Sequence, residues 1–133
     1  MQPLVNDRWT GGFVVSEQGF YEFTIEAWID WFATWRRDLV KKFDAGQDVA
    51  SELLEGAALV EKTAGRAGGT DRDRLREHAA AIGRGDQAER VRAGLDDNLA
   101  SAMARHADRS YGSTYERTPQ VWVDRERARF STW

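Results

Sequence analysis

The sequence predicts an α+β fold in which a block of helices interrupts a β-layer. Residues 20–29 alternate in polarity with the period of a strand, and the same period returns after Pro119. Between these two segments the apolar residues recur at helical spacing. A helical block between strands is most simply an insertion into a β-domain, because the second strand can rejoin the sheet that the first one left.

The first predicted strands are 13–15 and 20–29, joined around the stretch "SEQG". Gly19 can take the positive φ that a tight connection needs. The apolar face of the second strand consists of Tyr21, Phe23, Ile25, Ala27 and Ile29. Because side chains alternate across a strand, we expect this face to be buried against a second layer.

Five helices are expected after this strand. The first begins at Thr34, ends at Gly46 and presents Trp35, Leu39 and Phe43. The second is capped by Asp48, ends in "GRAGG" and presents Val49, Leu53, Leu54, Ala57 and Val60. Apolar stripes this narrow indicate a compact bundle.

The remaining three helices are shorter. The third is capped by Thr70 and presents Leu75, Ala79 and Ile82. The fourth starts with a capping box of Asp86 and Glu89 and presents Ala88, Val91 and Leu95. The fifth begins near Asp96 or Asp97 and presents Leu99, Met103 and His106. Leu53, Leu75 and Val91 are our predictions for the centre of the bundle.

The last predicted strand lies in "QVWVDRERARF", where Val121 and Val123 alternate with Trp122 and Asp124. With Tyr21, Phe23 and Ile25, Val121 completes the predicted sheet core. Two-layer β-domains usually contain about seven strands, and this chain supplies three or so. We therefore expect the missing strands to come from elsewhere.

Composition excludes several classes of function. The net charge of −3 and the pI near 5.4 argue against nucleic acid and anionic membranes as partners. No apolar run approaches the roughly 18 residues that span a bilayer. The absence of cysteine and the two separate histidines argue against disulfides and zinc. A cytoplasmic protein without cofactors fits these features.

Three tryptophans lie where the strand gives way to a helix, and three roles compete for them: a sugar platform, an active-site wall or a joint between subdomains. Trp28, on the polar strand face, is the candidate for stacking on a sugar ring. Trp35 falls on the apolar helical stripe, and Trp31 with Phe32 lies at the turn. These three residues favour a packed joint.

The sequence offers no catalytic residues. Glu22, Glu26 and Asp30 are roughly 13 Å apart from one to the next along a strand. The two carboxyl groups of a glycosidase are about 5 to 9.5 Å apart. No nucleophile elbow, "HExxH" or dinucleotide fingerprint occurs. His78 and His106 are interpreted as surface or capping residues.

A cluster of basic residues lies on the first predicted helix, where Lys42 follows Asp38 at i,i+4 spacing. Such a pair is typical of a solvated helix face rather than of a ligand site. We therefore expect Asp38 to pair with Lys42.

Several stretches together resemble the N-terminal region of the bacterial alpha-1,4-glucan:maltose-1-phosphate maltosyltransferases, relatives of the alpha-amylases. The stretches are "PLVNDRWTG", "YEFTIEAW", "FATWRRDL", "AGQDV", "LLEGAAL", "ARHADRSY" and "VWVDRERARFSTW". The resemblance implies an Ig-like β-sandwich, domain N, formed by residues 1–33 and 116–133. It also implies an inserted helical bundle, domain S, at 34–115.

The resemblance further implies a homodimer whose interface domains N and S help to form. The family transfers maltosyl units from maltose 1-phosphate to an α-1,4-glucan, and its catalytic aspartate and glutamate lie in a barrel that follows this region. No position of this chain matches them. The early sandwich strands and the barrel are absent, so we expect an excised segment or a truncated gene product.

Two functions follow as expectations. The first is a non-catalytic structural and dimerisation segment, whose partners are a second copy and the remainder of a maltosyltransferase chain. The alternative is an autonomous maltooligosaccharide-binding module that contacts α-glucan through Trp28 and Trp122.

Overall fold

The computed structural model describes residues 1–124. The chain forms two compact units. The β unit contains Met1–Ala27 and the described residues from Ser113 onward, and the helical unit contains Trp28–Gly112. Helices and short antiparallel strands are both present, which confirms the α+β class. None of the described helices is long and apolar enough to cross a membrane.

The β unit consists of short strands in antiparallel pairs. The strands are β1 (Gln2–Pro3), β2 (Trp9–Thr10), β3 (Gly19–Glu22), β4 (Glu26–Ala27), β5 (Ser113–Thr114) and β6 (Gln120–Val123). β1 pairs with β2, β3 with β6 and β4 with β5. The predicted return of the last strand to the first segment is confirmed by the pairs Gly19↔Val123 and Glu22↔Gln120. The rest of that predicted strand, 125–130, lies outside the described residues.

Two strand predictions are wrong. Residues 13–15 form no strand, and β3 pairs with β6 instead. The single strand predicted at 20–29 is two strands, β3 and β4, with different partners. At the break the Phe23 N–H donates to the Pro119 carbonyl over 3.1 Å. Proline has no N–H, so this bond cannot be returned and the ladder is interrupted.

The predicted sheet core is also wrong for the described residues. Tyr21 is half-buried, whereas Phe23, Ile25 and Val121 are exposed. Within residues 1–124 the strands pair two by two, in three separate ladders. A two-stranded ladder without a covering layer cannot bury its apolar face.

The helical unit contains five helices, all of which were predicted. They are α1 (Trp31–Asp44), α2 (Ala50–Arg66), α3 (Gly69–Gly83), α4 (Gln87–Gly94) and α5 (Asp97–Arg105). α1 begins three residues before the predicted Thr34, because the Asp30 carboxylate accepts the Ala33 N–H over 2.8 Å. Gly46, with φ of 70°, follows the end of α1 as predicted.

The starts of the other helices agree in part with the predictions. The capping box of Asp86 and Glu89 at α4 is confirmed, and Asp96 caps α5. The N-cap of α2 is Val49 rather than Asp48, although Asp48 accepts the Ala50 N–H. Thr70 lies inside α3, whose N-cap is Gly68.

The core of the helical unit is formed by small, aliphatic and aromatic side chains, and all five helices contribute to it. Leu53, Leu75 and Val91 are buried as predicted. Leu54 and Ala88 are exposed, contrary to prediction. Adjacent residues of a helix point about 100° apart, so α2 cannot bury both Leu53 and Leu54 in one narrow stripe.

Candidate interaction surface

Trp28 belongs to the helical unit and lies between β4 and α1 rather than in a strand, so its predicted place on a strand face is wrong. Its side chain is 36% exposed, and Cζ of Arg109 lies 4.2 Å from the centroid of its ring. This geometry is a cation–π contact. A sugar could stack only on the part of the indole that the guanidinium leaves open.

Trp122 belongs to the β unit, where it lies directly opposite Phe20 in the β3–β6 ladder. The two ring centroids are 6.4 Å apart at an angle of 45°. Both rings are exposed, Trp122 to 65%. The pair forms an open aromatic surface on the β3–β6 ladder, of the kind that contacts a partner or a sugar.

Trp31, Phe32 and Trp35 lie at the start of α1, but they differ in burial. Trp31 is 57% exposed, whereas Phe32 and Trp35 are buried. The rings of Phe32 and Trp35 stack with centroids 5.3 Å apart. Within the helical unit the structure therefore brings together two of the three residues predicted to form a joint.

The Trp35 side chain is held by one hydrogen bond and by close contact with the backbone of two glycines. Its Nε1 donates to the carbonyl of Glu52 in α2 over 2.7 Å. Its six-membered ring lies against the backbone of Gly56 in α2 and of Gly94 in α4. Glycine is needed at both positions because a Cβ would overlap the ring.

Two hollows in the helical unit differ greatly in size. The smaller, about 60 Å³, is lined in part by Trp31, Lys62 and Arg66. That volume holds about two water molecules and no sugar ring. The larger, about 450 Å³, is an open groove along α1 and α5, lined largely by Phe32, Ala33, Val40, Leu95, Ala100 and Ala104.

The Arg36 side chain, which lines this groove, already has hydrogen-bond partners. Arg36 Nη2 donates to the Leu95 carbonyl over 2.6 Å and to Asp97 Oδ1 over 3.2 Å. The groove therefore offers apolar surface, with Asp30 as a helix cap at its edge. This arrangement suits packing against another apolar surface better than it suits proton transfer.

Two of the acidic residues considered for catalysis, Glu22 and Asp30, have structural partners. Glu22 accepts a hydrogen bond from Gln120 Nε2 over 2.7 Å, and Asp30 caps α1. The described residues contain no group of three or more metal-ligating side chains that could hold an ion.

Lys42 pairs with Glu52, not with Asp38 as predicted. The start of α2 brings Glu52 to Lys42, which sequence spacing within α1 could not reveal. The hydrogen bond from Lys42 lowers the pKa of the Glu52 carboxyl, and Glu52 in turn raises the pKa of Lys42.

A charged cluster that the sequence did not reveal joins α3 to the end of α5. Asp71 Oδ2 lies 2.9 Å from His106 Nε2 and also accepts from Arg105. The hydrogen bonds from His106 and then from Arg105 lower the pKa of Asp71. These residues are 34 and 35 positions apart, so no helical spacing rule could connect them.

Comparison with known proteins identifies similar sequences. The family model described as alpha-1,4-glucan:maltose-1-phosphate maltosyltransferase, domain N/S, matches residues 1–125. Proteins named alpha-1,4-glucan:maltose-1-phosphate maltosyltransferase from Myxococcus xanthus and Chlorobaculum tepidum are 44% and 38% identical over 100% of this chain. The protein of that name from Salinibacter ruber is 35% identical, also over 100% of the chain. The chain spans only 21%, 20% and 20% of these relatives, respectively.

Proposed function

The chain belongs to the domain N/S family of the alpha-1,4-glucan:maltose-1-phosphate maltosyltransferases, and on that premise we propose that it is a non-catalytic structural and dimerisation segment of such an enzyme. The observation that carries the proposal is the match to the domain N/S model over 1–125. The engagement of Glu22 and Asp30 in structural hydrogen bonds supports the absence of catalysis by this segment.

In this proposal, residues 1–33 and 116–133 belong to an Ig-like sandwich and 34–115 form the inserted bundle. The pairing of Ala27 with Ser113 supports this division. The chain leaves the β unit after Ala27 and returns to it at Ser113, so the pair joins the two connections. The exposed Phe23, Ile25 and Val121 support it too. They are the apolar face that the further strands of a sandwich would cover.

The joint assigned to Trp31, Phe32 and Trp35 is part of the same proposal. These residues form the first turns of α1, soon after the chain leaves the β unit. The burial of Phe32 and Trp35 supports a role in fixing the start of α1 on its neighbours. Trp31 would contribute to this joint through its exposed ring.

Dimerisation is supported by the open aromatic pair of Phe20 and Trp122, because surfaces of this kind are typical of protein contacts. Light scattering coupled to size exclusion tests it. We expect a mass of about twice the 15.1 kDa of one chain. A monomer at every concentration would contradict dimerisation by this segment. Trp122→Ser removes one ring of the aromatic pair and should lower the mass towards that of one chain. Leu54→Ser is the control, because it removes exposed apolar surface from α2 instead and should leave the mass unchanged.

A second candidate function, a maltooligosaccharide-binding module, is favoured by the exposed indole of Trp122. Titration calorimetry of the chain with maltoheptaose separates the two functions. We expect no heat of binding. Saturable binding that is abolished by Trp122→Ala or Trp28→Ala would favour the module instead.

Catalysis by the segment itself is tested with maltose 1-phosphate. We expect the purified chain to release neither phosphate nor maltose, since Asp30 caps α1 and Glu22 accepts a hydrogen bond from Gln120. Release above the level of buffer alone would contradict the non-catalytic assignment.

A further inference from the structure

The buried apolar side chains of residues 1–124 are concentrated in the helical unit. The core begins with Phe32 in α1 and ends with Met103 in α5, and Leu39, Leu53 and Leu75 within it are fully buried. Burial of apolar surface is the dominant favourable contribution to folding. The helical unit therefore contains the main source of stability of the described chain.

Hydrogen bonds between helices add to this packing. Trp35 Nε1 in α1 donates to the Glu52 carbonyl in α2 over 2.7 Å. Arg90 Nε in α4 donates to the Ile82 carbonyl in α3, also over 2.7 Å. Both bonds are partly buried. Opening one helix would break such bonds and expose the core of its neighbours, so we expect the helices to open together.

The β unit has the opposite character. The β3–β6 ladder has four residue pairs, and the β1–β2 and β4–β5 ladders have two each. The apolar side chains of Val14, Phe20, Phe23 and Trp122 are exposed. A pair of strands by itself is at best marginally stable in water. The hydrogen bonds of these ladders should therefore open at a lower free energy than those of the helices.

The bonds that hold each unit lie within that unit. The three ladders pair residues of the β unit with one another. The bonds of Trp35 and Arg90 join residues of the helical unit. Separating the strands of a ladder therefore breaks none of these helix-to-helix bonds.

We propose that the two units open separately, so that the strands of the β unit separate while the helical unit stays folded. The chain then carries, on a preformed bundle, strands that can exchange their ladder partners. Such exchange suits strands that pair with the further strands of a sandwich, a consequence that rests on the proposed function. The order of opening does not rest on it, because it follows from burial and ladder length.

Hydrogen exchange of the full chain, followed by mass spectrometry, measures the order of opening. The protection factors of β3 and β6 are compared with those of α2 and α3 in the same sample, at about pH 7. Local opening in proteins ranges from almost no free energy to that of global unfolding. We expect the helical protection factors to be about a hundredfold higher or more.

Val121→Gly tests the independence of the units from the β side. Val121 pairs with Tyr21 inside the β3–β6 ladder. Glycine weakens the interior of a strand, because it has no side chain to pack and loses more entropy on folding. We expect the protection factors of α2 and α3 to stay unchanged in this variant.

Leu75→Ala is the reciprocal variant. Leu75 is fully buried in α3. Truncation of a buried leucine should lower the protection factors of α2 and α3 about thirtyfold or more. We expect no change in β3 and β6, whose strands separate without unfolding of the bundle.

Dilution distinguishes this proposal from the proposed dimerisation. A dimer formed through Phe20 and Trp122 would raise the protection of β3 and β6 as the chain concentration rises. The order of opening is therefore measured at the lowest concentration that gives a signal. A chain that is monomeric throughout would contradict dimerisation and leave the expected order unchanged.

Three results would overturn separate opening. The first is equal protection of the β3–β6 ladder and of α2 and α3 in the wild-type chain at the lowest concentration, which requires no variant to fold. The second is a fall in the helical protection factors of Val121→Gly. The third is an equal fall in both units of Leu75→Ala.

Discussion

The six-membered ring of Trp35 occupies the space in which a side chain at Gly56 would lie. A Cβ built on Gly56 would be 2.7 Å from Trp35 Cη2 and closer still to other ring atoms. A Cβ on Gly94 would be 2.8 Å from the same Cη2. α1 thus places a buried indole in a slot that two glycines, one in α2 and one in α4, leave open.

Gly56→Ala should destabilise the chain by about 1 to 3 kcal/mol, the usual cost of overpacking a core. The clash is with a buried ring that is also held by its hydrogen bond to Glu52, so it has little freedom to move. The loss should exceed the gain of about 0.5 to 1 kcal/mol that alanine brings inside a helix. Urea denaturation measures the change.

Gly65→Ala is the matched control, in the same helix. A Cβ at Gly65 meets no atom within 4 Å, and the residue lies near the end of α2. We expect this variant to be as stable as the wild type or slightly more stable. Equal stability of Gly56→Ala and Gly65→Ala would contradict the expected clash between a side chain at position 56 and the Trp35 ring.

Trp35→Ala should cost about 3 to 5 kcal/mol of unfolding free energy, as for other buried aromatic residues. Trp35→Phe should cost less, but about 1 kcal/mol or more, because the indole donor to the Glu52 carbonyl is lost. Leu54→Ala, at an exposed position of α2, should change stability by about 0.5 kcal/mol or less. A loss below about 1 kcal/mol for Trp35→Ala would contradict its role as a core residue.

The helices could be predicted from the sequence because their signals are local. The spacing of Leu75, Ala79 and Ile82 and the capping box at Asp86 lie within one or two turns of chain. The need for glycine at 56 and 94 could not be predicted, since it depends on an indole from α1. Nor could Lys42 be assigned to Glu52, whose position is set by the packing of α2 on α1.

The strands were predicted less well, for a physical reason. Alternation in 20–29 indicated a strand, but it could not show that Pro119 would interrupt the ladder opposite Phe23. Strand pairing is non-local, and short strands take their register from partners far along the chain. For the candidate site, the sequence identified the aromatic residues but not the guanidinium of Arg109 over Trp28.

The capping box of α4 predicts a measurable loss when it is removed. The Asp86 carboxylate accepts the Glu89 N–H over 2.9 Å, and the Glu89 side chain accepts the Asp86 N–H. Asp86→Ala should cost about 1 kcal/mol of unfolding free energy. Asp86→Asn retains a cap oxygen and should cost much less. If both variants lose the same stability, the hydrogen bond to Glu89 is not the cause.

Asp96 predicts the direction of one contribution to acid unfolding. Its carboxylate accepts the Asn98 N–H over 2.7 Å, and this bond lowers the pKa of Asp96 below its ordinary value. A lowered pKa in the folded state gives stability that is present above the ordinary pKa and is lost as the pH falls through the folded-state value. Asp96→Asn keeps the cap without a titrating group. We therefore expect the variant and the wild type to have nearly the same melting temperature at about pH 7. Between about pH 7 and pH 3, the melting temperature of the variant, followed by circular dichroism, should fall less than that of the wild type. An equal fall in both proteins would show that ionised Asp96 does not stabilise α5.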